Sequence, residues 1–155
     1  MSKAYNLAGM RFGMLTGDPA LLNLVFRVQS NLASGMFEPS QKAAITAMSL
    51  GSEWLATLNK TYRERRKVAE ELLTELDCVI SGSVGGLFLW AKIPETHLSE
   101  IDFSEYLLDE YQIFLAPGSI FGSQGKGYIR LSLCSEIEIL EEARQRITTH
   151  KSVLK

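Results

Sequence analysis

Cysteine is scarce: Cys78 and Cys134 are the only two among 155 residues, far apart and without CxxC spacing. That argues against a disulfide framework and against a zinc site, and both are expected as buried thiols in the core. Histidine is equally scarce. His97 and His150 have no Cys, Asp or Glu at a metal-ligand spacing, so no metal is expected and both read as surface histidines. There is no charge excess either, since 16 Lys and Arg against 18 Asp and Glu leave a formal charge of −2. Such a balance gives no pull toward nucleic acid or an anionic membrane. No apolar run approaches the roughly 18–20 residues needed to span a bilayer, and the first residues lack the basic-then-apolar build of a signal peptide. A cytoplasmic protein with no membrane and no nucleic-acid partner is expected. Low-complexity segments and internal repeats are absent as well.

What is present is an ordinary globular composition, 46% hydrophobic, 22% charged and 9% aromatic, in a length of about one domain. Met10 to Leu15, with glycines around it, reads as a short strand or extended stretch. A helix then starts at an Asp18 cap with Pro19 in its first position, and Leu21, Leu24, Val25, Val28 and Leu32 recur at the spacing of one buried face. A second helix is expected from about Pro39 to Leu50. Gly51 breaks it, and Ser52 and Glu53 open a long third helix through Leu76. From Asp77 the pattern turns to strands: Cys78–Ile80 and Leu87–Ile93 as a hairpin around the Gly82–Gly86 turn. A loop at Pro94–Ile101, a helix at Phe103–Tyr111, a strand at Gln112–Ala116, a glycine loop at Pro117–Gly127, a strand at Tyr128–Cys134 and a helix at Glu136–Thr149 follow. This order implies an α+β fold, a small mixed or antiparallel sheet with helices packed on one face and a long helix before it.

Few features could carry chemistry. The basic run from Tyr62 to Lys67 lies mid-helix with Glu64, Glu70, Glu71 and Glu75 nearby, and reads as a solvated helix face with i,i+4 pairs. The strand after the glycine loop alternates Ile129, Leu131 and Leu133 with Tyr128, Arg130 and Ser132. Period two places Arg130 on the face away from the core, where a guanidinium could clamp a planar carboxylate or pair with a structural one. Lys3 and Arg11 form another pair, which could offer an amine nucleophile and an anion-binding guanidinium on one glycine-shaped segment, although by composition alone a terminal lysine reads as a solvated charge.

The run Ser2-Lys3-Ala4-Tyr5-Asn6-Leu7-Ala8-Gly9-Met10-Arg11-Phe12-Gly13 resembles the S-K-x-Y-N-[ML]-A-G-x-R-x-G signature of class I/II aminotransferases, fold type I pyridoxal-phosphate enzymes. Ser34 to Gln41, Tyr62 through Arg65 and Arg66, and Pro117-Gly118 leading through Phe121-Gly122 to Tyr128-Ile129-Arg130-Leu131-Ser132 follow in the family's order. The resemblance implies that Lys3 condenses with pyridoxal phosphate and carries the proton between the substrate Cα and the cofactor. It implies that Arg11, with Ser2 beside the lysine, binds the cofactor phosphate, and that Arg130 holds the substrate α-carboxylate.

In such enzymes the phosphate loop, the ring-stacking aromatic and the acid facing the ring nitrogen precede the lysine. The chain is therefore expected to be a C-terminal portion beginning at the cofactor lysine. Residues 1–35 would be the end of the large cofactor-binding domain, and residues 36–155 the small domain with its long connecting helix. The implied reaction is amino-group transfer between an amino acid and a 2-oxo acid, in an enzyme that is a homodimer at full length, with little activity in the 155 residues alone. Ser34–Gln41 and the Tyr62–Arg66 helix look closest to the alanine, aspartate and diaminopimelate aminotransferase subgroup. The alternatives are a non-catalytic interaction module and another fold type I enzyme, a β-lyase or a synthase.

Overall fold

The computed structural model of the chain describes residues 1–82, 85–95 and 98–153, with side chains described to residue 149. The expectations for His97 and for the side chain of His150 lie outside the described residues. The chain divides into two units, Met1–Leu58 and Asn59–Lys155.

In the first unit, helix α1 (Pro19–Leu32) begins where the sequence predicts. The Asp18 carboxylate accepts the backbone N–H groups of Ala20 at 2.8 Å and Leu21 at 3.2 Å, satisfying two of the donors a helix start leaves open. Its expected buried face is not buried: Leu21, Leu24, Val25, Val28 and Leu32 are all exposed, Leu32 by 77%. The 3.6-residue period defines an apolar stripe, whereas burial also requires something to lie on it. Helix α2 (Glu38–Met48) buries Ser40, Ala44 and Ala47. Of the short strand or extended stretch expected over Met10–Leu15, no strand forms. Ala8–Met10 is a single 3₁₀ turn, and the residues after Arg11 pair with no strand among those described.

Helix α3 (Gly51–Glu75) runs from the first unit into the second. The second unit holds the core. Strands β1 (Val79–Ser81), β2 (Phe88–Lys92), β3 (Ala116–Pro117) and β4 (Tyr128–Ser132) form a sheet in the order β1-β2-β4-β3, every neighbouring pair antiparallel. Leu89 and Ala91 of β2 and Ile129 and Leu131 of β4 are buried, as alternation requires of one face. They join Val68, Ala69, Leu72 and Leu73 of α3, Phe103 and Leu107 of α4 (Glu100–Tyr111) and Leu140 and Ile147 of α5 (Ile137–Val153) in one cluster. The expected α+β arrangement is therefore present.

Four local expectations change. Helix α4 starts at Glu100, inside the predicted loop, because Ser99 and Asp102 form a reciprocal capping box. It ends at Gln112 in a left-handed conformation, φ 57°, so the strand predicted over Gln112–Ala116 shrinks to Ala116–Pro117. Cys78 is buried as expected, but Cys134 is exposed, two residues past the end of β4. The basic run is also not uniformly solvated. Arg66 pairs with Glu70 at 2.7 Å, an i,i+4 pair of the expected kind, but Arg65 is only 9% exposed. Its Nη1 donates to the carbonyls of Leu133 at 3.3 Å and Cys134 at 3.4 Å, and its Nη2 pairs with Glu136. Arg65 thus ties α3 to the end of β4 and the approach to α5.

Candidate active site

Two clusters carry the predicted site residues, one in each unit. In the first, the Tyr5 N–H donates to the Met1 carbonyl at 3.1 Å, closing a turn over Ser2, Lys3 and Ala4. Lys3 is exposed and Ser2 half-buried. The Trp54 indole N–H of α3 donates to the Ala4 carbonyl at 3.0 Å, anchoring the residue next to the lysine to a helix; a tryptophan N–H commonly finds such a partner. Asn6 and Arg11 both sit at positive φ, 52° and 51°, bending the segment at each end of the 3₁₀ turn. The Ala8 carbonyl accepts both the backbone N–H and Nη1 of Arg11, each at 3.4 Å, so the side chain folds back along its own turn. Ser2, Lys3 and Arg11 thus share one short, twice-bent segment.

The second cluster lies on the face of the sheet opposite the core. Register places Trp90 of β2 across from Arg130 of β4, Phe88 across from Ser132 and Lys92 across from Tyr128, so all six side chains share that face. The Arg130 guanidinium carbon lies 4.3 Å from the Phe88 ring centre and 4.1 Å from that of Phe121. Each contact is of the kind worth about 0.5–2 kcal/mol. Trp90 stacks on Tyr128 with ring centres 5.7 Å apart and meets Phe121 edge-on at 5.9 Å. Among the described residues Arg130 has no carboxylate partner. The structural ion pair that its strand position would also allow is not made there. Aromatic rings hold the cation, and its N–H donors suit a planar anion.

Phe121 reaches Arg130 from the loop 117–127, whose path depends on two glycines. A Cβ added to Gly118 would collide with the Gly125 carbonyl oxygen, and one added to Gly125 with that of Gly118. At the loop's end the Gly127 N–H donates to the Glu100 carboxylate at 3.0 Å, and its carbonyl accepts the Ile93 N–H at 3.0 Å. The Gly127 N–H first, and the Ser119 hydroxyl second, hold the Glu100 carboxyl below its ordinary value.

Sequence reasoning did not single out Phe88, Trp90, Trp54 or Glu100. Alternation could have put Phe88 and Trp90 opposite Leu89 and Ala91, but which strand they would face depends on a pairing register between distant segments. Glu100 could have been placed by the Ser99–Asp102 capping signal.

Comparison with known proteins gives the family. The sequence model of aminotransferase class I and II matches residues 1–147. An LL-diaminopimelate aminotransferase of Aquifex aeolicus is 38% identical over 151 residues, covering 97% of this chain and 39% of that protein. One of Nitratidesulfovibrio vulgaris is 35% identical over 147 residues, covering 95% of this chain and 38% of that protein. Among solved structures, apo-BacF of Bacillus subtilis superposes with a TM-score of 0.86 at 34% identity, covering 96% of this chain and 40% of that one. An aminotransferase of Staphylococcus aureus gives 0.87 at 31% identity, covering 96% and 39%. The chain spans about two fifths of the length of these relatives, and with the family's sequence model matching nearly its whole length it belongs to the class I and II aminotransferases.

Proposed function

We propose that this chain supplies the lysine, the phosphate-binding arginine and the substrate-binding arginine of a pyridoxal-phosphate-dependent transamination between an amino acid and a 2-oxo acid. The observation that carries the reading is Arg130, held by Phe88 and Phe121 on the outer face of the sheet with no carboxylate partner among the described residues. The donor set of the opening segment suits the cofactor. Lys3 offers an exposed primary amine for an aldehyde, while Arg11, exposed and with one guanidinium nitrogen engaged by Ala8, has further donors for a phosphate, with the Ser2 hydroxyl beside the lysine.

Pyridoxal phosphate, when bound, supplies the electron sink that lets a proton leave the substrate Cα. The protein's part is positioning and proton transfer. Arg130 binds the α-carboxylate through paired N–H donors and so fixes the Cα. Lys3 Nζ takes the proton from that carbon and returns it on the other side of the amino transfer. Arg11 neutralises the phosphate and anchors the cofactor. The relatives act as diaminopimelate aminotransferases by name, and we extend to this chain a substrate with an α-carboxylate and a full-length homodimer.

In the 155 residues alone we propose little or no turnover, because the chain covers about two fifths of its relatives and Lys3 is open to solvent. The test is addition of pyridoxal phosphate, borohydride reduction and mass mapping of the labelled lysines. Preferential labelling at Lys3 without turnover is expected. Labelling spread evenly over the lysines would overturn the role of Lys3, and turnover of an amino acid would overturn the inactivity.

The exposed apolar side chains of α1, Leu21, Leu24, Val28 and Leu32 among them, favour a second reading in which the chain acts as an interaction module. Light scattering that shows a monomer at all salt concentrations would remove it.

A further inference from the structure

We propose that Glu100 is a positioning residue for the Arg130 anion clamp, acting at a distance through the loop 117–127; this rests on the carboxylate-binding reading of Arg130. Glu100 opens α4 and is 7% exposed. It touches neither Arg130 nor any ring of the aromatic cluster through a described bond. Its carboxylate accepts the Gly127 N–H at 3.0 Å and the Ser119 hydroxyl, and these two residues lie near the two ends of the loop that carries Phe121.

Between those ends the glycine pair brings the two arms of the loop into backbone contact. One buried carboxylate therefore closes the neck of a loop whose outer part places a phenyl ring 4.1 Å from the clamp's guanidinium. The other ring on Arg130, Phe88, comes from β2 and is fixed by sheet register. Phe121 has no strand to fix it, so its place depends on how the loop is held. Lys126 is the charged neighbour that also favours the Glu100 anion. A buried carboxylate bonded to a backbone N–H and a hydroxyl is a strong tether, and losing a hydrogen bond to a charged group costs enough to release a short loop.

The test uses the whole chain and two readouts. One is the NMR resonance of the Arg130 side-chain Nε–H, which the Phe88 and Phe121 rings shift. The other is pyruvate affinity, measured by titration of that resonance. Glu100→Ala is expected to move the Arg130 resonance toward its ring-free position and to weaken pyruvate binding about tenfold. Glu100→Gln keeps one carbonyl oxygen for the Gly127 N–H and is expected to recover most of both. If Glu100→Ala does not fold, Ser119→Ala, which removes one of the two bonds, is expected to move the resonance part of the way. An Arg130 resonance unmoved in both the folded Glu100 variants and Ser119→Ala overturns the proposal. Arg130→Gln separates it from the underlying reading: pyruvate binding that survives this change overturns the carboxylate role of Arg130, while the resonance still decides whether Glu100 sets the ring.

Discussion

The two units use their apolar sequence in opposite ways. In Asn59–Lys155, alternating strand residues and one face each of α3, α4 and α5 converge on a single buried cluster, and Leu73, Leu107, Ile129 and Ile147 lose all contact with solvent. In Met1–Leu58, α1 is equally well patterned and capped, yet none of its residues is buried and Phe26 is 69% exposed. Periodicity and capping thus suffice to make a helix, but stability comes from what the apolar stripe is packed against. The first unit carries the exposed lysine, whereas the second carries its arginine on a finished scaffold.

The comparison breaks most sharply at core leucines. Leu107→Ala should cost about 2–5 kcal/mol, and Leu24→Ala in α1 no more than about 0.5 kcal/mol, both measured by urea unfolding. Equal costs would mean that α1 is packed in solution. Gly125→Ala comes next: with the Gly118 carbonyl in the way, the loop must shift, at about 1–3 kcal/mol, and the Arg130 side-chain resonance should move with it. Asp18→Ala should cost α1 about 1 kcal/mol, read as faster amide exchange within that helix and unchanged unfolding of the second unit.

The smallest effect is a pH dependence. Because the Glu100 carboxyl is held below its ordinary value of 4.5 in the folded chain, its contribution is fully present above that value and disappears as pH falls through the lowered one. The stability difference between the natural chain and Glu100→Gln should therefore shrink in acid. A difference that persists unchanged at low pH would show that the carboxylate charge has no part in holding the loop.

Local chemistry in the sequence announced part of this. Asp18 and Pro19 mark the start of α1, and the period-two run places Arg130 away from the core. What stayed hidden depends on partners distant in the chain. The burial of Arg65 is one case: it shares a helix face with Val68, Ala69 and Leu72, a spacing that could have placed it inward, but its acceptors lie at Leu133, Cys134 and Glu136. The aromatic surroundings of Arg130 are another, since Phe88 arrives by strand register and Phe121 by the fold of a loop. The exposure of α1 is a third, because a stripe of leucines does not say whether anything covers it.

The chain has two tryptophans, and their placement has an optical consequence. Trp54 bonds to the carbonyl beside Lys3 within the first unit, while Trp90 stacks on Tyr128 and meets Phe121 beside Arg130 in the second. Each unit therefore carries one intrinsic fluorophore, one near Lys3 and one near Arg130. With either indole replaced by phenylalanine, the emission of the other reports on its own unit alone, so that changes around Lys3 and around Arg130 can be timed separately.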